Sequence, residues 1–245
     1  MEAVIRLLPY AEADGATNMA ADETLLRSAV DGIASLRFYG WTTATLSLGY
    51  FQPCALRLSD PQLAHLPWVR RPSGGATLVH HHELTYSLAL PPGSHWQARQ
   101  PWLLRMHRII TDALHELGLT GRIEAVGELP SRHGDFLCFQ QYTTGDLLSA
   151  GKKVVGSAQR KYRQALMQHG SILFAQSEHT PALAGIRETT GISLTASQMQ
   201  EAVVDAFARD TKWPIEVENW TKQEMEFAEE LAANKYATAE WNEKR

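Results

Sequence analysis

Three observations predict an α+β (mixed α/β) fold for this chain. Runs rich in β-branched and aromatic residues recur from Ser35 to Leu90 and again from Leu147 to Phe174, which suits strands. Between them Leu103, Met106, Ile110, Leu114 and Leu117 follow one another at helical spacing and form one apolar stripe. Beyond Pro181 the pattern turns helical, with capping boxes at Thr195–Gln198 and Thr221–Glu224. Strands followed by helices argue for an α+β or mixed α/β domain, with a helical appendage over residues 181–245 of one 1–245 domain.

In chain order, Thr17-Asn18-Met19-Ala20-Ala21-Asp22-Glu23 is expected to open a helix: polar cap candidates come first, acids fill the first turn, and Met19, Leu25 and Leu26 lie in the run. Ser35–Tyr39 and Thr45–Tyr50 read as strands with Gly40-Trp41-Thr42-Thr43 between them. Asp60-Pro61 is expected to start a short helix, with Pro in its first turn. Trp68-Val69 leads into a Pro-Gly turn, and one long strand is expected from Thr77 to Leu90, stopped by Pro91-Pro92-Gly93. The pattern from Trp96 to Leu117 is helical and Gly118 stops it. Residues 119–137, with Gly127, Pro130 and Gly134, read as a strand and then a loop. Leu147-Leu148, Lys153-Val154-Val155 and Gln168–Phe174 resume strands. No repeat, linker or low-complexity tract interrupts the chain.

Composition bounds the function. The 245 residues are 44% hydrophobic, enough for a full core in one domain. A net charge of −4 argues against nucleic acid as the main partner. No apolar run approaches a membrane span, and Met1-Glu2-Ala3 does not begin like a signal peptide. Two distant cysteines, Cys54 and Cys138, make neither a disulfide framework nor a metal knuckle, so a cytoplasmic protein with free thiols is expected.

Two runs carry chemistry. The first is Arg70-Arg71-Pro72-Ser73-Gly74-Gly75, where a Pro-fixed turn leads to two glycines whose backbone can approach a ligand closely. Its plain alternative is a hairpin corner with two solvated arginines. The second joins Cys138-Phe139 to Lys153, in Gly151-Lys152-Lys153-Val154-Val155-Gly156-Ser157-Ala158. A cysteine becomes a useful nucleophile when a nearby cation favours its thiolate, and a lysine on a partner strand would supply one. Alone, Cys138 reads as a small buried hydrophobe and Lys153 as a solvated lysine. Strand alternation assigns Lys152 to solvent, and Cys54 is structural. His80-His81-His82 invites a zinc reading because His80 and His82 would share a strand face; no third ligand stands at a telling spacing, so no metal is expected.

The two runs together resemble the lipoyl-attachment branch of the biotin/lipoate protein ligase superfamily, where an Arg-Arg-Pro-Ser/Thr-Gly-Gly turn and a Gly-x-Lys-x-x-Gly-Ser-Ala run recur. Within it, ATP-dependent ligases usually carry a third glycine and a His-Asp. Here those places read Gly74-Gly75-Ala76 and His80-His81. Glu83-Leu84-Thr85-Tyr86-Ser87, Cys138-Phe139 and Gln168-His169-Gly170-Ser171 look instead like cysteine-dependent octanoyltransferases of the LipM type. Asn18-Met19-Ala20, Arg37–Trp41 and the tail around Lys235-Tyr236 and Glu240-Trp241-Asn242 fit the same family, so the resemblance spans nearly the whole chain.

The resemblance implies a biotin/lipoate protein ligase-like catalytic domain and transfer of octanoyl from acyl carrier protein to a lipoyl-domain lysine, such as that of glycine-cleavage H protein. Cys138 would carry the acyl group as a thioester and Lys153 would assist it. Arg71, Ser73, Gly74, Gly75, His80, Gly156, Ser157, Ala158 and His169 would bind substrate, without ATP, magnesium or any other cofactor. Three alternatives stay open: an ATP-dependent lipoate ligase, an amidotransferase moving octanoyl between lipoyl domains, and a carrier-binding module without turnover.

Overall fold

The computed structural model describes residues 3–93, 96, 100–127, 137–140 and 142–245, with the backbone alone at Cys138. Along the chain come β1 (Ile5–Leu7), β2 (Ala11–Ala13), α1 (Gly15–Val30), β3 (Ser35–Trp41), β4 (Thr45–Leu48), β5 (Trp68–Arg70), β6 (Leu78–His80) and β7 (Glu83–Leu90). Then follow α2 (Trp102–Leu114), β8 (Ile123–Ala125), β9 (Leu147–Ser149), β10 (Lys152–Tyr162) and β11 (Ala165–Leu173). The chain ends with α3 (Ile186–Thr190), α4 (Ala196–Thr211), β12 (Ile215–Val217), α5 (Lys222–Leu231) and α6 (Ala239–Asn242).

Among the described residues the larger sheet runs β12-β1-β3-β7-β11-β10-β9-β8, and β2 extends the β1 edge of β3. Strands β12, β1 and β2 are parallel to their neighbours, and the pairs from β3 to β8 are antiparallel. A small second sheet has the order β5-β4-β6. Every residue of the central strand β7 is buried, because helices cover both faces. Leu84, Tyr86, Leu88 and Leu90 face Met106, Ile110 and Leu114 of α2 and Val203 and Phe207 of α4. Ala89 packs on the opposite side with Leu25 and Leu26 of α1. Period-two alternation thus delivers one strand to two cores.

Four expectations change. The strand expected from Thr77 to Leu90 is two strands in two sheets, broken at His81-His82, where Glu83 N–H donates to His81 C=O at 2.6 Å. The helix expected from Trp96 begins at Trp102, because Pro101 occupies its N-cap; after Leu114 it widens into a π-type turn to Leu119 that holds Gly118 at φ 91°. Asp60-Pro61 starts no helix: Asp60 C=O accepts from Leu63 and Ala64 N–H in a single turn. The segment after Pro181 is not purely helical and is woven into the layers. Its strand β12 joins the sheet edge, and the Asn242 side chain accepts from Arg70 N–H at 2.7 Å. Pro130 and Gly134, in the expected loop, lie outside the described residues. No helix among the described residues is long and apolar enough to cross a membrane.

Candidate active site

One cavity lies between the two sheets. From the small-sheet side it is lined by Arg71, Gly75, Ala76, Leu78 and His80; from β7, β10 and β11 by Thr85, Lys153, Gly156, Ser157, Ala158, His169, Gly170 and Ser171. Met19 of α1, Tyr39 of β3, Phe139 and Thr143 complete the wall. Apolar surface predominates, and a few polar groups converge on it, as in a small-molecule site.

The Arg-Pro-Ser-Gly-Gly turn is folded around buried guanidinium groups. Arg71 donates to the carbonyls of Ser47 (3.0 Å), Gly74 (2.8 Å) and Ala76 (2.6 Å), so the turn wraps its side chain. Arg70 donates to the carbonyls of Gly49 (3.0 Å), Gln52 (2.6 Å) and Asn242 (2.9 Å). Both arginines are buried, which removes the solvated-corner alternative. Gly75 sits at φ +92°, a left-handed backbone that favours glycine. A Cβ on Gly49 would lie 1.9 Å from Gly75 C=O, so the two segments touch backbone to backbone.

Three serine–histidine pairs brace the cavity. His169 Nδ1 meets Asp22 Oδ2 at 2.9 Å and its Nε2 meets Ser73 Oγ at 2.5 Å. Asp22 is itself held by Arg37 (3.2 Å) and by the hydroxyl of Tyr39 (2.9 Å). A chain of hydrogen bonds therefore runs from β3 and α1 through β11 to the turn. His80 Nδ1 lies 2.7 Å from Glu83 Oε1, and its Nε2 lies 2.8 Å from Ser47 Oγ. Because Ser47 Oγ accepts from Arg71 at 3.2 Å, its own hydrogen points to His80. Burial pushes the His80 pKa down more than Glu83 raises it, so a neutral ring with the proton on Nδ1 satisfies every partner. Trp41 stacks on that ring, 3.8 Å between centroids. The third pair is His107 Nε2 with Ser157 Oγ, 2.5 Å apart; Ser157 Oγ is also 2.6 Å from the Tyr86 hydroxyl. Burial lowers the pKa of His107 and raises that of Tyr86 to about 12.

Lys153 is buried and Lys152 exposed, as alternation predicts. Odd spacing would put Lys153 and Gly156 on opposite faces, but the strand register shifts between Lys153 and Val155 and turns both to one side. The lysine stem then lies across Gly156, where a Cβ would come within 2.5 Å of Lys153 Cε. Asp146 Oδ2 pairs with Lys153 Nζ at 2.7 Å and also accepts from Thr143 N–H (2.7 Å) and hydroxyl (3.0 Å). Lys153 Nζ stands 5.4 Å from the centre of the Phe139 ring. Cys138 opens the one-turn 3-10 segment Cys138–Gln140, which packs on β10 and follows the bridge between Leu137 and Thr77. The Cys138 side chain lies outside the described residues.

Of the expected site residues, Arg71, Gly75, His80, Lys153, Gly156, Ser157, Ala158 and His169 line this one cavity. Ser73 bonds to His169 just behind the wall, and Gly74 offers its carbonyl to Arg71 rather than to the cavity. Cys54 lies apart, its N–H donating to Arg245 C=O. Sequence reasoning missed Asp22, Glu83, His107 and Asp146. Asp22 stands three residues from both Met19 and Leu25, a carboxylate on an apolar helix face. His107 likewise falls between Leu103 and Ile110 on the α2 stripe. A polar side chain inside an apolar stripe is the signal that was available. Asp146, at the end of a turn, carries none.

Known proteins agree with this architecture. Residues 14–201 match the family described as the lipoyl protein ligase A/B catalytic domain. The chain is 31% identical to the octanoyltransferase LipM of Anoxybacillus flavithermus over 99% of each chain, and 32% identical to that of Geobacillus kaustophilus over 94% of each. A crystal structure of lipoate-protein ligase A bound with ATP superposes with a TM-score of 0.78 at 22% identity, covering 99% of both chains. A putative lipoate protein ligase from T. acidophilum gives 0.79 at 22% identity over 100% of both. These two likenesses bear on the fold alone. On the matched residues and on these relatives, the chain belongs to the lipoyl protein ligase A/B catalytic domain family.

Proposed function

We propose that this chain, as a single catalytic domain, is a cysteine-dependent octanoyltransferase of lipoate biosynthesis, working in the cytoplasm. The donor is octanoyl-acyl carrier protein; the acceptor is the lysine of a lipoyl domain, such as that of glycine-cleavage H protein. The observation that carries the reading is the convergence on one largely apolar cavity of the Arg71–Gly75 turn, the Lys153–Ala158 strand and the turn that Cys138 opens. Met19, Leu78, Phe139 and Ala158 offer surface to an acyl chain, each buried methylene of which adds about 0.8 kcal/mol.

In this reading the Cys138 thiolate, favoured by the Lys153 ammonium, attacks the donor thioester carbonyl. A new carbon–sulfur bond forms, the carrier's thiolate leaves, and that thiolate takes up a proton. Exchange of one thioester for another is nearly balanced in free energy, so no nucleotide is needed. The acceptor amine then attacks the Cys138 thioester, loses its proton and departs as the amide, while the Cys138 thiolate is released. Amide formation from a thioester runs downhill. β10 extends past the end of β9 at Val155, so near Gly156 and Ser157 its outer edge has no strand partner among the described residues. Backbone N–H groups there and at Gly74–Gly75 would stabilise the tetrahedral oxyanion. Asp146 orients Lys153, while His169 and Asp22 hold Ser73 and hence the turn.

Intact-mass measurement tests this. After mixing with octanoyl carrier protein, an adduct of octanoyl mass is expected on Cys138 and none on Cys54. Cys138→Ala should abolish transfer and Cys54→Ala should leave it intact. Full activity in Cys138→Ala, or acyl-adenylate formed from free lipoate and ATP with no cysteine adduct, would overturn the reading in favour of a ligase.

A further inference from the structure

Away from the cavity, at the corner between β6 and β7, a cluster of histidines surrounds one carboxylate. Glu178 Oε2 lies 3.7 Å from His81 Nδ1 and 4.0 Å from His82 Nε2, and its Oε1 lies 3.8 Å from His179 Nε2. The ligand atoms of His81, Glu178 and His179 all fall within 4.8 Å of one another. His65 approaches from a separate stretch of chain, its ring 6.1 Å from that of His179. These residues come from three regions far apart in the sequence.

We propose that His81, Glu178 and His179 bind one divalent transition metal ion of the zinc class, with a fourth position left to water or His82. Nitrogen and oxygen ligands at about 2.0–2.2 Å from a tetrahedral ion stand about 3.4 Å apart. The nearest separations, 3.7 Å to His81 and 3.8 Å to His179, exceed hydrogen-bond length and lie close to that spacing. The three ligand atoms together fall within 4.8 Å, so binding draws the side chains inward by up to about an ångström. Glu178 is 70% exposed, so its carboxylate is free to make that adjustment. Ser177 Oγ accepts from His179 N–H at 3.1 Å, which leaves its hydroxyl hydrogen for His81 Nδ1 at 2.9 Å. Metal binding at His81 Nδ1 would replace that bond, which is only part-buried, so the Ser177 hydroxyl can turn to water instead. Imidazole and carboxylate together suit zinc, cobalt or nickel better than calcium or magnesium.

The ion would do mechanical work. His82 C=O already accepts from the N–H groups of Phe174 (2.9 Å) and Ala175 (3.2 Å), joining the corner to the segment after β11. A metal held by both segments would cross-link them immediately beside His80 and Glu83, which brace the cavity. The proposal does not depend on the identity of the acyl substrate.

The test uses untagged protein, stripped with chelator and then desalted. Titration with Co²⁺ should show one equivalent bound, with the visible absorption of low-coordinate cobalt, displaced by one equivalent of Zn²⁺. His81→Ala and His179→Ala should each weaken binding at least tenfold and abolish the rise in Tm that Zn²⁺ produces. These side chains are partly exposed, so metal-free Tm should change little and report that the variants fold. Absence of one-to-one binding by the wild type, or equal affinity in wild type and both variants, would overturn the site.

Discussion

At Gly156 the side chain is a single hydrogen because Lys153 passes over it. Gly156→Ala would place a methyl where the lysine stem lies, 2.5 Å from Cε, and so push the ammonium off its position between Asp146 and the Phe139 ring. In the proposed mechanism the ammonium favours the attacking thiolate and does not bind the substrate, so displacement should show mainly in kcat. We expect octanoyl transfer to fall at least tenfold, which corresponds to about 1.4 kcal/mol of barrier, with KM nearly unchanged. Steady-state kinetics on Gly156→Ala check this, and wild-type turnover would show that Lys153 tolerates being moved. The Gly-x-Lys-x-x-Gly run was readable as a motif, and the burial of Lys153 opposite Lys152 followed from alternation. The bulge that gives the spacing its meaning was not readable, since it arises from pairing β10 with β9 across the sheet. Asp146 was equally hidden, because nothing local distinguishes a turn aspartate that meets a buried lysine from one that meets water.

Among the elements, α5 has the clearest local signal and the least expected tertiary role. Thr221 and Glu224 form the capping box visible in the sequence. The same Glu224 carboxylate also accepts from Arg6 of β1 at 2.6 and 2.9 Å and from Ser28 of α1 at 2.7 Å. Burial pushes the Glu224 pKa up, but the hydrogen bonds from Arg6, Ser28 and Thr221 outweigh it and hold the group at about 2. A carboxyl with a depressed folded pKa stabilises above its unfolded value of 4.5, and that contribution disappears as pH falls towards about 2. Glu224→Gln keeps a box-competent amide and leaves Arg6 buried without its counter-ion, so it should cost about 3 kcal/mol at neutral pH. Urea unfolding at pH 7 and pH 3 measures both effects: the gap between wild type and variant should narrow at the lower pH. A gap that does not narrow would assign the loss to packing instead of charge. The helix was legible because capping is local; its partners were not, because β1 lies at the far end of the chain.

Across the whole molecule, the centre of the sheet is buried on both faces and the site grows from one of them, so stability and site geometry share groups. His107 is the case in point. It projects from the helical layer, with Nδ1 2.6 Å from Gly145 C=O and Nε2 2.5 Å from Ser157 on the cavity wall. The fold class was readable from strand and helix periods, yet this link between layers was not, since it needs α2, β10 and the turn before β9 in place together. Burial lowers the His107 pKa; the Gly145 carbonyl and Asp146 oppose this and Lys153 reinforces it. The sign follows from proton counting. Below the unfolded value of 6.5 the unfolded chain binds a proton at this position that the folded chain refuses. Unfolding therefore becomes easier as pH falls, by up to about 1.4 kcal/mol per pH unit from this one group, until the folded pKa is reached. Urea unfolding at pH 7.5, 6.5 and 5.5, with chelator present, should show wild-type stability declining over the last step. In His107→Gln, whose amide still reaches a carbonyl or hydroxyl but does not titrate, the decline should be shallower by up to that amount. Parallel pH dependences in the two proteins would mean that His107 takes up its proton in the folded state, with the Asp146 carboxylate offsetting its burial.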